Sequence, residues 1–325
     1  MKKIAVTIGD PGGIGPEVLV KALPDPGLRG CVPVVVGDLR VMQEAVERFR
    51  SPLRIAVIES ADEARPAPET LWLLEAGTLP AYARNRPDAE NGAACVRYIR
   101  RAVALALDGA VDAVVTAPVS KESLKLAGLH WPGHTEMLAE LTGTKRYAMM
   151  LVGEPLKVVL VTIHTALKNV PGLITKGRVL ETIRLAAKAC AMLGIENPRI
   201  AVAGLNPHAG ESGIFGDEER VEIMPAIDEA HKQGISVEGP SPPDTVFFRA
   251  YHGAVDMVVC MYHDQGLIPL KMLAFEKGVN VTVGLPIIRT SPDHGTAYDI
   301  AWKGIGNPSS MIEAINMAIR LRLVE

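Results

Sequence analysis

An α/β fold built on mostly parallel sheets is what this sequence predicts, and three observations carry the prediction. Short Val- and Ile-rich runs recur along the whole chain, and amphipathic segments of helical length lie between several of them. The runs are also almost continuously apolar rather than alternating. Strands that are apolar on both faces belong to parallel sheets covered by helices on both sides. A chain of 325 residues that is 48% apolar has material for two such units.

The first run, KIAVTIG, leads through the glycine-rich stretch GDPGGIGPEV into a helix GPEVLVKAL, with Pro16 and Glu17 in its first turn. The spacing of Gly9, Gly12, Gly13 and Gly15 is not GxGxxG, so a dinucleotide fingerprint is not assigned, although Asp38 follows the second strand. Next come the strand VPVVVGD, the helix RVMQEAVERFR and the strand RIAVIE. SADEARPAPET reads as a surface excursion before the helix AACVRYIRRAVALALDGA and the strand DAVVTAP. GLHWPGHTE then interrupts the alternation, which suggests a domain change near residues 121–135 ahead of a helix EMLAELTG. The second half repeats the rhythm: strand KVVLVTIH, helix RVLETIRLAAKACAMLG, strand RIAVAGLN, helix EERVEIMPAIDEAHKQG, then the strands DMVVCMYH and VNVTVGLP. The last segment, NPSSMIEAINMAIRLRL, is a capped helix with Met311, Ile315, Met317, Ala318 and Leu321 along one side. There is no internal repeat and no low-complexity linker.

Composition removes several function classes. A net charge of −3 provides no basic field for nucleic acid or anionic membrane, and 4% aromatic content gives no base-stacking surface. No run approaches the roughly 20 apolar residues of a membrane helix, and the apolar run in MKKIAVTIGD is too short for a signal sequence. Cys31, Cys95, Cys190 and Cys260 are widely spaced without a CxxC pair, which suits free thiols in a reducing cytoplasm. The expectation is a soluble cytoplasmic protein.

The run VDMVVCMYHDQGLIPLK ends an apolar strand on His263 and Asp264. KVVLVTIHTAL carries His164 at a comparable place, and IAVAGLNPHAGESG carries His208 just beyond another strand. Ligands in open parallel sheets bind outside the carboxyl ends of strands. Singly, each imidazole reads as a structural histidine bonded to a loop. Jointly, three neutral imidazoles with an open fourth position make a catalytic divalent-metal site, with Asp264 orienting His263. No HExxH is present, which disfavours a zincin-type hydrolase.

Lys271, Asn280 in GVNVTVG and Arg289 in PIIRTSPDHG are polar groups in apolar surroundings. They read either as surface salt-bridging groups or as a clamp for phosphate or carboxylate. WPGHTEM adds His134 and Thr135 at a helix start, where anions are held. Asp244 in PPDTVF is a candidate for proton handling, or a cap on the helix TVFFRAYHGA.

Taken together, GDPGGIGPE, TAPVSK, GHTE, GLNPHAGE, GPSPPDT, MYHDQGLIPLK and GVNVTVGLPIIRTSPDHGTA resemble the 4-hydroxythreonine-4-phosphate dehydrogenase family of pyridoxal phosphate biosynthesis, in order from about residue 4 to about residue 320. DHGTAYDIAWKGIGNPSSMIEAI is also similar to the cofactor end of isopropylmalate and isocitrate dehydrogenases. The resemblance implies two α/β/α domains with mostly parallel sheets, as in those enzymes. Residues 1–125 with 285–325 would contribute cofactor contacts, and residues 126–284 would carry metal and substrate residues and a dimer interface.

It further implies that His164, His208 and His263 hold a divalent metal (Zn, Co, Mn or Mg), and that His134, Thr135, Lys271, Asn280 and Arg289 bind substrate. The family is a homodimer with a shared site, which allows one metal histidine to come from the partner chain. By likeness to the related dehydrogenases, His294, Gly295 and Asn307 lie near the adenine end of NAD or NADP. The implied reaction oxidises 4-phosphooxy-L-threonine at C3 and then decarboxylates it to 3-amino-2-oxopropyl phosphate. Lys271 would hold an anionic group, or protonate the enolate if burial lowers its pKa. The competing readings are a sister dehydrogenase acting on D-threonate or D-erythronate 4-phosphate and a metal-dependent aldolase.

Overall fold

The computed structural model describes residues 1–79, 81–131 and 133–324. The chain forms two compact units, Met1–Lys145 with Leu285–Arg320, and Arg146–Gly284 with the residues after Arg320. In the first unit the chain runs β1 (Lys2–Thr7), α1 (Gly15–Ala22), β2 (Cys31–Gly37), α2 (Leu39–Arg48), β3 (Arg54–Ile58), β4 (Thr70–Glu75), α3 (Ala89–Leu107), β5 (Ala113–Thr116), α4 (Lys121–Leu126) and α5 (His134–Leu141). The second unit contains β6 (Ala148–Gly153), β7 (Leu156–Leu160), α6 (Val170–Leu173), α7 (Lys176–Met192), β8 (Ile200–Ala203) and α8 (Met224–Lys232). It continues with β9 (Val237–Ser241), α9 (Val246–Tyr251), β10 (Met257–Cys260), α10 (His263–Ala274) and β11 (Val279–Val283). The chain then returns to the first unit as β12 (Arg289–Pro292) and α11 (Ser309–Arg320).

The six strands of the first unit lie in the order β3-β4-β2-β1-β5-β12, all parallel. Those of the second lie in the order β11-β6-β7-β10-β8-β9. There β7, β10, β8 and β9 are parallel, while β11, β6 and β7 pair antiparallel. The mixed α/β fold with mostly parallel sheets is thus as expected. The antiparallel corner departs from a purely parallel reading for a physical reason: β6 is buried at every position, so its strand shows no alternation that would expose a hairpin.

Four strands escaped the periodicity. Besides β6 these are β4, β9, which carries Pro240 at the sheet edge where a missing donor is tolerated, and β12, the four residues RTSP. Among the described residues no helix is long and apolar enough to cross a membrane.

What positions the site in the second unit is the seating of α10. Leu267 and Leu270 point from it into a core of Leu151, Val158, Leu160 and Val258. Gly266 makes the approach possible: a Cβ there would lie 3.1 Å from Cys260 Sγ and 3.2 Å from both Leu160 and Val158. A larger side chain must push the helix off the strands it follows. We expect Gly266→Val to destabilise the protein by about 1–3 kcal/mol, the usual cost of overpacking, read as a lower urea midpoint.

Candidate active site

The strands preceding the three histidines are neighbours, in the order β7-β10-β8. Pairing between β7 and β10 continues past their ends. Val161 donates to the Cys260 carbonyl (2.8 Å), and Thr162 donates to the Met261 carbonyl through both its N–H (3.2 Å) and its hydroxyl (2.7 Å). This extension carries His164 alongside His263, with ring centroids 5.7 Å apart. His263 is the first residue of α10 rather than the last of β10, and its Nδ1 bonds the Asp264 carboxylate at 2.7 Å. An ionised carboxylate only accepts, so Nδ1 is the donor in this bond, and Nε2 is the ring nitrogen left to face a ligand. Two adjacent imidazoles suit a borderline cation such as Zn2+.

His208 stands apart. It is exposed beside Phe215, with ring centroids 6.2 Å apart. Among the described residues no three metal-ligating side chains of one chain come together. The turn that carries it is left-handed: φ is 53° at His208, 54° at Ala209, 81° at Gly210, 43° at Glu211 and 59° at Ser212. For each non-glycine residue this conformation costs about 1–2 kcal/mol, so surrounding contacts must impose it. Buried Glu219 anchors the chain just before the turn, accepting from Leu205 N (2.8 Å), Asn206 N (2.7 Å) and Asn206 Nδ2 (2.9 Å).

Lys271 lies two turns along α10 from His263, in a groove of about 440 Å³ that both residues line with Met272 and Phe275. In the same unit, Asn280 on β11 has a buried Oδ1 with no partner among the described residues. Asp244 is exposed ahead of α9, and the N-cap of that helix, Thr245, makes no side-chain cap.

Anion-binding candidates also gather in the first unit. Arg289, 2% exposed, donates to the Thr116 hydroxyl from Nη2 (2.6 Å) and Nε (3.2 Å). Burial pulls its pKa down to about 9, so it is still cationic at neutral pH. His134 and buried Thr135 open α5. His134 is half-buried as a residue, yet its Nε2 is wholly shielded and has no partner among the described residues. Burial, and then the charge of Arg289, hold it well below the ordinary 6.5, so the ring is neutral. A neutral, shielded nitrogen beside a buried guanidinium is a polar site that a ligand oxygen would complete.

The cofactor candidates are more open. His294 and Gly295 are exposed, and Asn307 accepts from Ser309 N (2.9 Å) and Oγ (2.7 Å) at the approach to α11. The glycine-rich turn is filled by the chain itself. A Cβ on Gly12 would fall 2.0 Å from the Ala83 carbonyl oxygen, which leaves no cradle for a pyrophosphate. Fully buried Asp10, which the sequence reading missed, anchors this turn. It accepts from Gly12 N (2.9 Å), Asn91 Nδ2 (3.1 Å), Ser123 Oγ (3.0 Å) and Tyr298 OH (2.7 Å), while burial raises its pKa. Trp302 adds a bond to the Pro11 carbonyl, and Ile14 N donates to Thr296. The turn is therefore a dock for residues 296–302.

The neutral His134 has a consequence for stability. The unfolded chain binds its proton near the ordinary pKa of about 6.5, before the folded protein does. Its contribution is thus complete above that pH and is lost as pH falls below it. His134→Asn should flatten the stability decline between about pH 6.5 and pH 5, measured by thermal unfolding across pH; an unchanged slope would contradict the assignment.

Similarity to known proteins extends over nearly the whole chain. The family model described as "Pyridoxal phosphate biosynthetic protein PdxA" matches residues 29–318. The chain is 50% identical over 326 residues to the 4-hydroxythreonine-4-phosphate dehydrogenase of Trichlorobacter lovleyi, covering 98% of this chain and 97% of that one. It is 48% identical over 323 residues to the D-threonate 4-phosphate dehydrogenase of Salmonella typhimurium, covering 98% and 99%. The crystal structure of 4-hydroxythreonine-4-phosphate dehydrogenase from Klebsiella pneumoniae matches with a TM-score of 0.92 and 46% identity over 99% and 98% of the two chains. At the level of fold alone, a β-decarboxylating dehydrogenase from Thermococcus kodakarensis matches with a TM-score of 0.50 and 18% identity, over 98% and 82%. With a family match over most of its length and relatives this close across all of it, the chain belongs to the PdxA family of pyridoxal phosphate biosynthetic proteins.

Proposed function

We propose that the protein oxidises 4-phosphooxy-L-threonine at C3 with NAD or NADP and decarboxylates the product to 3-amino-2-oxopropyl phosphate, using one divalent metal per site. The observation that carries this reading is the His164–His263 pair at the end of a groove lined by Lys271. Membership of a dehydrogenase family brings a nicotinamide cofactor and sets the aldolase aside. His164 and His263 would hold the metal with His208 of the partner subunit as third ligand, in a homodimer. The separation of His208 from the pair supports this, as does the exposed apolar face beside His263, where Met272 is 81% and Phe275 77% exposed.

Held by these residues, a divalent cation would supply Lewis-acid polarisation of the C3 oxygen and the nicotinamide a hydride acceptor. The chain's own residues do the rest. Asp264 fixes the tautomer of His263. In the first unit His134, Thr135 and Arg289 would hold an anionic group of the substrate; in the second, the unpartnered Oδ1 of Asn280 would accept from a substrate N–H or O–H. Lys271 holds a second anionic group or returns a proton to the carbon that loses CO2. Asp244 stands as a second proton-handling group, and His294, Gly295 and Asn307 as contacts to the adenine end of the cofactor. Free, buried cysteines suit the reducing cytoplasm in which the reading places the enzyme.

D-threonate 4-phosphate is the second substrate to test, because a relative of that activity matches almost as closely. The assay follows reduced nicotinamide with each substrate, NAD+ or NADP+, and metal. The reading expects faster reduction with the amino acid, and a loss of about a hundredfold or more in kcat/KM for Arg289→Gln, the scale of a truncated buried charge pair. Faster turnover of the hydroxy acid would move the enzyme to the second substrate; no reduction with either would overturn the dehydrogenase reading.

A further inference from the structure

Gln265 sits between two of the proposed metal-binding limbs and bonds to both. It is 8% exposed, and both ends of its amide are engaged. Its Oε1 accepts from Met261 N at 2.7 Å, and its Nε2 donates to the Gly204 carbonyl at 2.7 Å. Met261 is two residues before His263, and its carbonyl takes both Thr162 bonds that bring in His164. Gly204 is four residues before His208 and lies under the left-handed turn, where a Cβ on it would fall 2.8 Å from Ala209 Cα. One side chain therefore touches the root of the His164–His263 pair and the root of the His208 limb.

Strands β10 and β8 are also pinned at their opposite end. There Asp256 accepts from Arg199 N (2.9 Å), Nε (3.0 Å) and Nη2 (2.8 Å), and Asp256 N donates to the Arg199 carbonyl (2.9 Å). The backbone ladder pairs Met257 with Ile200, and the Arg199–Asp256 pin holds that register where the strands begin. With register already set, the amide at the carboxyl ends is left to fix how far the two limbs splay.

We infer that Gln265 is a positioning residue that sets the spacing of the His263 and His208 limbs, and through it the affinity for metal. The inference rests on the metal reading above. Glutamine suits the place because it needs one acceptor and one donor on the same planar group. Glutamate keeps the acceptor and loses the donor; methionine matches the length and loses both. Because the histidine pair and His208 of one chain would serve different sites of the dimer, Gln265 also links those two sites.

The test is titration of metal-free protein with Co2+, reading affinity and the visible absorption band, alongside the thermal midpoint of each apoprotein. Gln265→Met is expected to lower Co2+ affinity by about 10–100-fold, the range typical of groups that orient ligands, and to shift the band. In the His208→Ala background its cost should shrink to about a few-fold, because coupled groups are not additive. A general loss of structure would instead add equally in both backgrounds. Should Gln265→Met unfold, Gln265→Glu keeps the bond to Met261 and is expected to lose only the part that passes through His208. Unchanged affinity and band in a folded variant, or a cost equal in both backgrounds, overturns the inference alone. Failure of the wild-type protein to bind Co2+ overturns the metal reading and this inference with it.

Discussion

Two backbone bonds past the ends of β7 and β10 decide the character of the second unit. Strands in a parallel sheet normally part company at their carboxyl ends, where the chain turns away to a helix. Here Val161 and Thr162 stay bonded to Cys260 and Met261, and the Thr162 hydroxyl doubles the second link. His164 is held beside His263 as a result, on backbone whose position the sheet dictates. The helix α10 that starts at His263 can seat on the same strands only because Gly266 offers no side chain to them. Sheet, loop and helix thus constrain one pair of imidazoles from three directions, the rigidity a ligand site needs.

The first unit answers a different physical problem, that of keeping charge inside a protein. Arg289 is buried with a hydroxyl as a close partner, and the cost shows in a pKa pulled down to about 9. Beside it His134 is held neutral, so that one buried cation is not made two. A desolvated cation with shielded polar atoms nearby is stabilised by an anion in the same place, which is the condition a phosphorylated acid meets. The Asp10 carboxyl lies in an equally dry setting, where burial raises its pKa, and it accepts from four donors of the chain itself.

Much of this was legible in the sequence, and what was not has identifiable causes. Periodicity located the long helices α3, α7 and α11, and apolar runs located strands such as β1, β5 and β10. It missed α10, which reads as the end of a strand because Gly266 and Pro269 break its helical pattern. It also failed for β12, where a buried arginine and a proline interrupt the apolar signal, and for β9, where Gly239 and Pro240 read as a turn. Histidines just past strand ends were visible as a pattern. The isolation of His208 was not, because the run of left-handed residues from 208 to 212 leaves no mark in the local composition beyond Gly210. Asp10 and Gln265 both stood inside quoted motifs and were passed over. Their partners lie 288 and 61 residues away, at Tyr298 and Gly204, and only the folded chain brings those together.

The central claim is that a histidine pair from one subunit and His208 of the partner subunit make one site. Subunit complementation tests it directly. His263→Ala and His208→Ala proteins are each expected to be inactive. Unfolded together and refolded, they should recover about a quarter of wild-type activity, since half the dimers are mixed and each mixed dimer has one intact site. Absence of any recovery, from variants that refold as dimers, would contradict the shared site and return all three histidines to a single chain.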